Sequence, residues 1–137
     1  IEIAKAGDNI VLHFENNIDI SRGDTVVLSD KLPTESSQIN SWISWLDNTP
    51  LQVGKTYLLQ HRFKNMRVKI QEVNQKWNIN DWEFTKETEI KLNDIAQISL
   101  RTNQPLFYDA FGKNPKSGNA ILIDETSNNT VGALMFL

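Results

Sequence analysis

Five groups of residues in this chain have types and spacing that chemistry could use. Gly54-Lys55-Thr56 has the ending of a phosphate-binding loop, in which backbone N–H groups wrap a phosphate and the lysine reaches it. That loop needs another glycine five residues earlier. Thr49 stands there, and Pro50 beside it removes an N–H donor, so the better reading is a turn that opens a strand. Asp109-Ala110-Phe111-Gly112 matches the D-x-x-G that GTPases use near magnesium, but without a phosphate loop it has nothing to coordinate against, and a turn is again favoured. His13 and His61 fall in separate segments, and two ligands fall short of the three or four a metal site takes. Asp19, Asp24, Asp109, Asp124 and Glu125 sit mostly in turn-like contexts, where a carboxylate bonds the local backbone. A hydrolytic pair would need a set separation across a cleft, which sequence does not define. Asn128-Asn129-Thr130 fits a glycosylation acceptor and reads as a tight turn. No G-x-S-x-G elbow and no cysteine is present. The expectation is that this segment carries no catalytic, cofactor-binding or metal-binding residue.

The tryptophans are the more conspicuous feature. Trp42 and Trp45 form one pair, Trp77 and Trp82 another. Each indole either buries itself and finds a partner for its N–H, or anchors a contact with a neighbouring domain or subunit. Trp45, beside Leu46, is expected in the core. Trp77 and Trp82, in a polar stretch, and Trp42 are the candidates for a domain or subunit interface. The same rings could stack nucleic-acid bases.

Charge opposes that last use. The 137 residues carry a net charge of −3, whereas a nucleic-acid binder needs a basic surplus to neutralise phosphates. Basic attachment to a membrane surface is disfavoured in the same way, and no run approaches the roughly 18 apolar residues a span needs. Lack of cysteine fits a reducing cytoplasm. A start at Ile1 rather than Met suggests a piece of a longer protein. Hydrophobic residues make up 39%, enough for the core of one domain.

The elements that must position these residues read as strands. Apolar runs at Asn9–Glu15, Thr25–Leu28, Ile39–Leu46, Lys55–Val73, Ile95–Leu100, Ala120–Asp124 and Thr130–Leu137 are separated by turn chemistry. Lys55–Val73 reads as two strands, with Tyr57, Leu59 and His61 on one face of the first and Met66, Val68 and Ile70 on one face of the second. Lys64-Asn65 is the expected hairpin turn between them. Ile39–Leu46 has apolar residues at helical as well as strand spacing, and Asp47-Asn48-Thr49-Pro50 tips it to strand. Gln75–Glu89 reads as a polar connection. No amphipathic helix of convincing length separates the strands, so the expected fold is all-β, an antiparallel barrel or sandwich.

The run Ile18-Asp19-Ile20-Ser21-Arg22-Gly23-Asp24 resembles the D-I-S-R-G-D segment of the large, GTPase subunit of GTP-dependent sulfate adenylyltransferases, and Ala6-Gly7-Asp8-Asn9 resembles a turn shared with elongation factor Tu. Trp45-Leu46, Leu51, Gly54-Lys55, Tyr57, Leu92-Asn93-Asp94-Ile95, Pro105, Asp109, Ser117-Gly118, Ile121, Ile123-Asp124, Thr130-Val131-Gly132-Ala133 and Met135 follow in the family's order. Leu134, Phe111 and Ala120 depart from its pattern, and 74–89 matches poorly.

This resemblance implies a closed six-stranded antiparallel barrel over 25–137, like the C-terminal domain of elongation factor Tu, preceded over 1–24 by the last strands of another β-barrel. It implies a non-catalytic part of an enzyme that makes adenosine 5′-phosphosulfate from ATP and sulfate, coupled to GTP hydrolysis. GTP, ATP and magnesium would then belong to the parent protein. The implied partners are the GTPase domain of the same chain and the small adenylyltransferase subunit, with neither nucleic acid nor membrane. The alternative is the corresponding barrel of a translation elongation factor that binds aminoacyl-tRNA.

Overall fold

The computed structural model describes residues 3–137. Seven strands follow one another: β1 (Thr34–Trp45), β2 (Thr56–His61), β3 (Lys64–Asn78), β4 (Glu83–Thr85), β5 (Ile95–Tyr108), β6 (Asn119–Ile123) and β7 (Thr130–Phe136). No helix occurs among the described residues. Neighbours run β2-β6-β7-β1-β5-β3, and β3 pairs back onto β2, so six antiparallel strands close on themselves. β4 is a short extra strand paired only to the far end of β3. Closure satisfies the N–H and C=O groups that an open sheet would leave bare at its edges.

The core follows the two-residue period of strands. Ile39, Ile43 and Trp45 from β1, Tyr57 and Leu59 from β2, Met66, Val68 and Ile70 from β3, Ala96, Ile98 and Leu100 from β5, Leu122 from β6 and Leu134 and Phe136 from β7 point inward. Trp45 donates its indole N–H to the Thr49 carbonyl at 2.8 Å and meets Tyr57 edge-on, so this indole is the core residue expected of it. Leu51 and Ile90, buried on two loops joined by Leu51 N–H to Ile90 O at 3.0 Å, stop one end of the barrel. Two glycines admit close approaches. A Cβ on Gly118 would lie 2.6 Å from the Phe111 amide nitrogen, and one on Gly132 would lie 3.1 Å from Ile43 Cδ1.

Four expectations need correction. Asn9–Glu15 and Thr25–Leu28 form no strand. Apolar β-formers are not enough, because a strand needs a neighbour for its backbone, and none is paired with residues 3–33 among the described residues. Ile10, Val11, Leu12, Phe14, Val26, Val27 and Leu28 accordingly remain exposed. The hairpin turn lies at Arg62-Phe63, since His61 pairs with Lys64. A turn at Lys64-Asn65 would keep the alternation yet set Glu72 opposite Tyr57 on the buried face. Finally, 75–89 is not a plain connection: β3 continues to Asn78, and β4 folds back on it.

Candidate functional site

The three candidate tryptophans gather in one place. Trp42 projects outward from β1 between the inward Ser41 and Ile43, opposite Gln97 of β5 and Met135 of β7. Trp77 projects outward near the end of β3, opposite Ile95 of β5 and Phe84 of β4. Phe84 bridges them, its ring centroid 5.5 Å from Trp42 and 5.0 Å from Trp77. Trp82 ends the β3–β4 loop and meets Trp77 edge-on at 6.1 Å. The result is an aromatic ridge Trp42–Phe84–Trp77–Trp82, with centroid spacings suited to quadrupole-favoured tilted and edge-on pairs.

Trp82 is 76% exposed and adopts a φ of 54°. A bulky residue in the left-handed region costs about 1–2 kcal/mol, and glycine or asparagine is the usual occupant. The loop therefore holds an indole in water at a backbone cost.

Beside the ridge runs an apolar groove of about 600 Å³, lined by Trp42, Trp77, Ile95, Phe111, Met135 and Leu137 among others. Its lining carries no charged side chain. Depletion of charge among exposed aromatics is the composition of an interface centre. The flanking amides are paired off, with Gln75 Nε2 donating to Gln97 Oε1 at 2.7 Å. Phe84 is the ridge member that sequence reading passed over as a residue of a polar stretch. The available signal was Trp77 and Phe84 standing either side of a four-residue turn-rich stretch, 79–82, that can close a hairpin.

The other chemical candidates are spread out and occupied. Lys55 reaches Asp124 at 3.1 Å and lies over the Tyr57 ring, tying the start of β2 to the β6–β7 turn. Its hydrogen bond to Asp124 raises the lysine pKa. The Thr126 amide and then Lys55 lower that of Asp124. Gly54 N–H is spent on the Ile70 carbonyl at 2.8 Å, so the Gly54-Lys55-Thr56 segment opens a strand instead of wrapping a phosphate. Asp109 accepts from Ser117 Oγ at 2.6 Å and from Asn114 Nδ2 at 3.3 Å, which caps the 109–118 loop. Asn128, with φ 62°, closes a turn through its N–H to the Asp124 carbonyl at 2.7 Å.

His61 points into the barrel, where Nε2–H donates to the Ser117 carbonyl at 2.8 Å and the ring packs on Phe136. Burial, the largest influence, lowers its pKa; the Ser117 bond opposes this. His13 is exposed on the leading segment. Among the described residues no three His, Asp or Glu side chains converge as a metal site would require, and no helix is long and apolar enough to cross a membrane.

The shape defines a class first. A solved structure of sup35 complexed with GDP superposes with a TM-score of 0.70 at 13% identity, over 80% of this chain and 27% of that one, so the fold is shared with a GDP-binding protein. The GTP-eEF1A C-terminal domain-like family matches residues 38–136, and the chain belongs to that family. Among curated relatives, sulfate adenylyltransferase subunit 1 of Sulfurovum sp. (strain NBC37-1) is 35% identical over 99% of this chain and 28% of its own length. The bifunctional enzyme CysN/CysC of Rhodopirellula baltica is 31% identical over 93% of this chain and 20% of its own. The chain thus spans less than a third of the relatives it matches.

Proposed function

We propose that this chain is the C-terminal, non-catalytic portion of the GTPase subunit of a GTP-dependent sulfate adenylyltransferase. In that reading it couples GTP hydrolysis, carried out elsewhere in the parent, to formation of adenosine 5′-phosphosulfate from ATP and sulfate in the cytoplasm. The observation that carries the reading is likeness to subunit 1 relatives over 99% of the chain, not over the barrel alone. Residues 1–24 would complete a preceding barrel and 25–137 would form the second. The exposed apolar residues of the leading segment support this, because they are suited to an adjacent sheet.

GTP, ATP and magnesium are assigned to the parent. The partners are its GTPase domain and the small adenylyltransferase subunit, with the Trp42, Trp77 and Trp82 ridge as the contact. A closed sheet suits the task physically. A packed, bistable contact passes on a rigid-body displacement that a soft domain would absorb.

The test is made in the parent enzyme. Removing residues 25–137 is expected to abolish GTP stimulation of adenosine 5′-phosphosulfate synthesis, and full stimulation in the truncated enzyme would refute the proposal. A finer variant, Trp77→Ala with Trp82→Ala, is expected to leave GTP binding intact while cutting the stimulation at least tenfold.

A further inference from the structure

Charge along the barrel is segregated. Between positions 55 and 71 stand Lys55, Arg62, Lys64, Arg67 and Lys69 with no Asp or Glu, whereas 72–94 hold six acidic and three basic residues. Folding concentrates part of the basic set on one outer surface. Arg67 and Lys69 are two apart on β3 and both exposed. Arg101 of β5 lies directly opposite Lys69 in the register. Like charges placed opposite each other on one sheet face destabilise it. Neither Lys69 nor Arg101 has a carboxylate within 4 Å among the described residues, although Glu72 stands only three positions from Lys69. Arg67 is the exception, its Nε 3.0 Å from Glu125 in an exposed pair. Amides flank the row: Gln38, opposite Arg101, donates to Gln71.

We infer that this outer face of β3 and β5, centred on Lys69 and Arg101, binds an acidic segment of a protein partner. The arginine fork and the lysine are donors without acceptors, and a carboxylate arriving between them would relieve their repulsion while forming charge-assisted bonds. A protein segment fits better than nucleic acid. The whole chain is at −3, so its long-range field opposes a polyphosphate, while a short acidic stretch feels mainly the local cations. The site is separate from the aromatic ridge and does not depend on the parent enzyme's activity.

The test uses the 137-residue chain with a fluorescently labelled hexaglutamate peptide as probe, read by anisotropy at low salt. Binding is expected, with Lys69→Glu plus Arg101→Glu weakening it at least tenfold. Lys86→Glu plus Lys91→Glu, which changes net charge by the same amount at the other end of the barrel, is expected to stay within twofold of the wild type. Equal losses in the two double variants would overturn the proposal, because net charge and not this face would then be responsible. Tighter binding of a six-nucleotide oligo(U) than of hexaglutamate would overturn it in favour of a phosphate-binding face. The milder Lys69→Gln is expected to weaken binding with its melting temperature unchanged or raised. A fall of several degrees would mean that Lys69 serves the fold instead.

Discussion

The barrel and the segment that leads into it use similar residues and meet opposite fates. From Ile39 in β1, from Tyr57 in β2 and between Met66 and Ile70 in β3, every second side chain is buried. Across residues 3–33 equally apolar runs lie exposed, without a strand among them. Composition does not separate the two regions; the presence of a neighbouring backbone does. A strand's hydrophobic face gains its free energy only when its N–H and C=O groups are also satisfied.

The largest expected effect probes that contrast. Leu59→Ala or Ile98→Ala, both fully buried, should destabilise the chain by about 2–5 kcal/mol in urea unfolding. Leu12→Ala and Val26→Ala should each cost no more than about 0.5 kcal/mol. A core-sized loss at Leu12 would break the comparison. Next comes Gly118→Ala, which drives a methyl into the Phe111 backbone and is expected to cost about 1–3 kcal/mol by overpacking.

His61 gives a smaller, pH-dependent effect. Its folded pKa is lowered, so the unfolded chain binds the proton more readily. Its neutral form fits the fold without penalty above the unfolded pKa of about 6.5, and stability falls as pH drops below that value. Thermal unfolding between pH 7 and pH 5 should show a decline that His61→Gln reduces. An unchanged slope in that variant would assign the decline to other groups. Smallest of all, Trp82→Ala should alter stability by about 0.5 kcal/mol or less, since the indole is mostly in water. A large loss would turn the ridge from a contact surface into a structural element.

Much of the barrel was legible because burial imposes a period. Tyr57, Leu59 and His61, like Met66, Val68 and Ile70, show their inward face in the sequence itself. Two kinds of feature were not. The turn at Arg62-Phe63 carries neither glycine nor asparagine, and Arg62 takes a φ of 54°. The register that sets Val68 opposite Tyr57 outweighs local turn preference there, and a bulge between Ile70 and Glu72 turns the glutamate outward. The pairing of β4 with β3 was hidden for a related reason: three residues, two of them exposed, carry almost no periodic signal. The tryptophans were visible as types, but their convergence depends on β1 and β3 both flanking β5, a relation between residues more than thirty positions apart.

The order of the strands also governs how the molecule comes into being. β7 is wedged between β6 and β1, with Phe136 opposite Ser41. A nascent chain cannot seal the ring until β7 has left the ribosome, and β1 must wait with its backbone unpaired on that flank. Such non-local pairing makes for slow folding, in the millisecond-to-second range typical of all-β domains. The interval before sealing is when this chain is most exposed to aggregation.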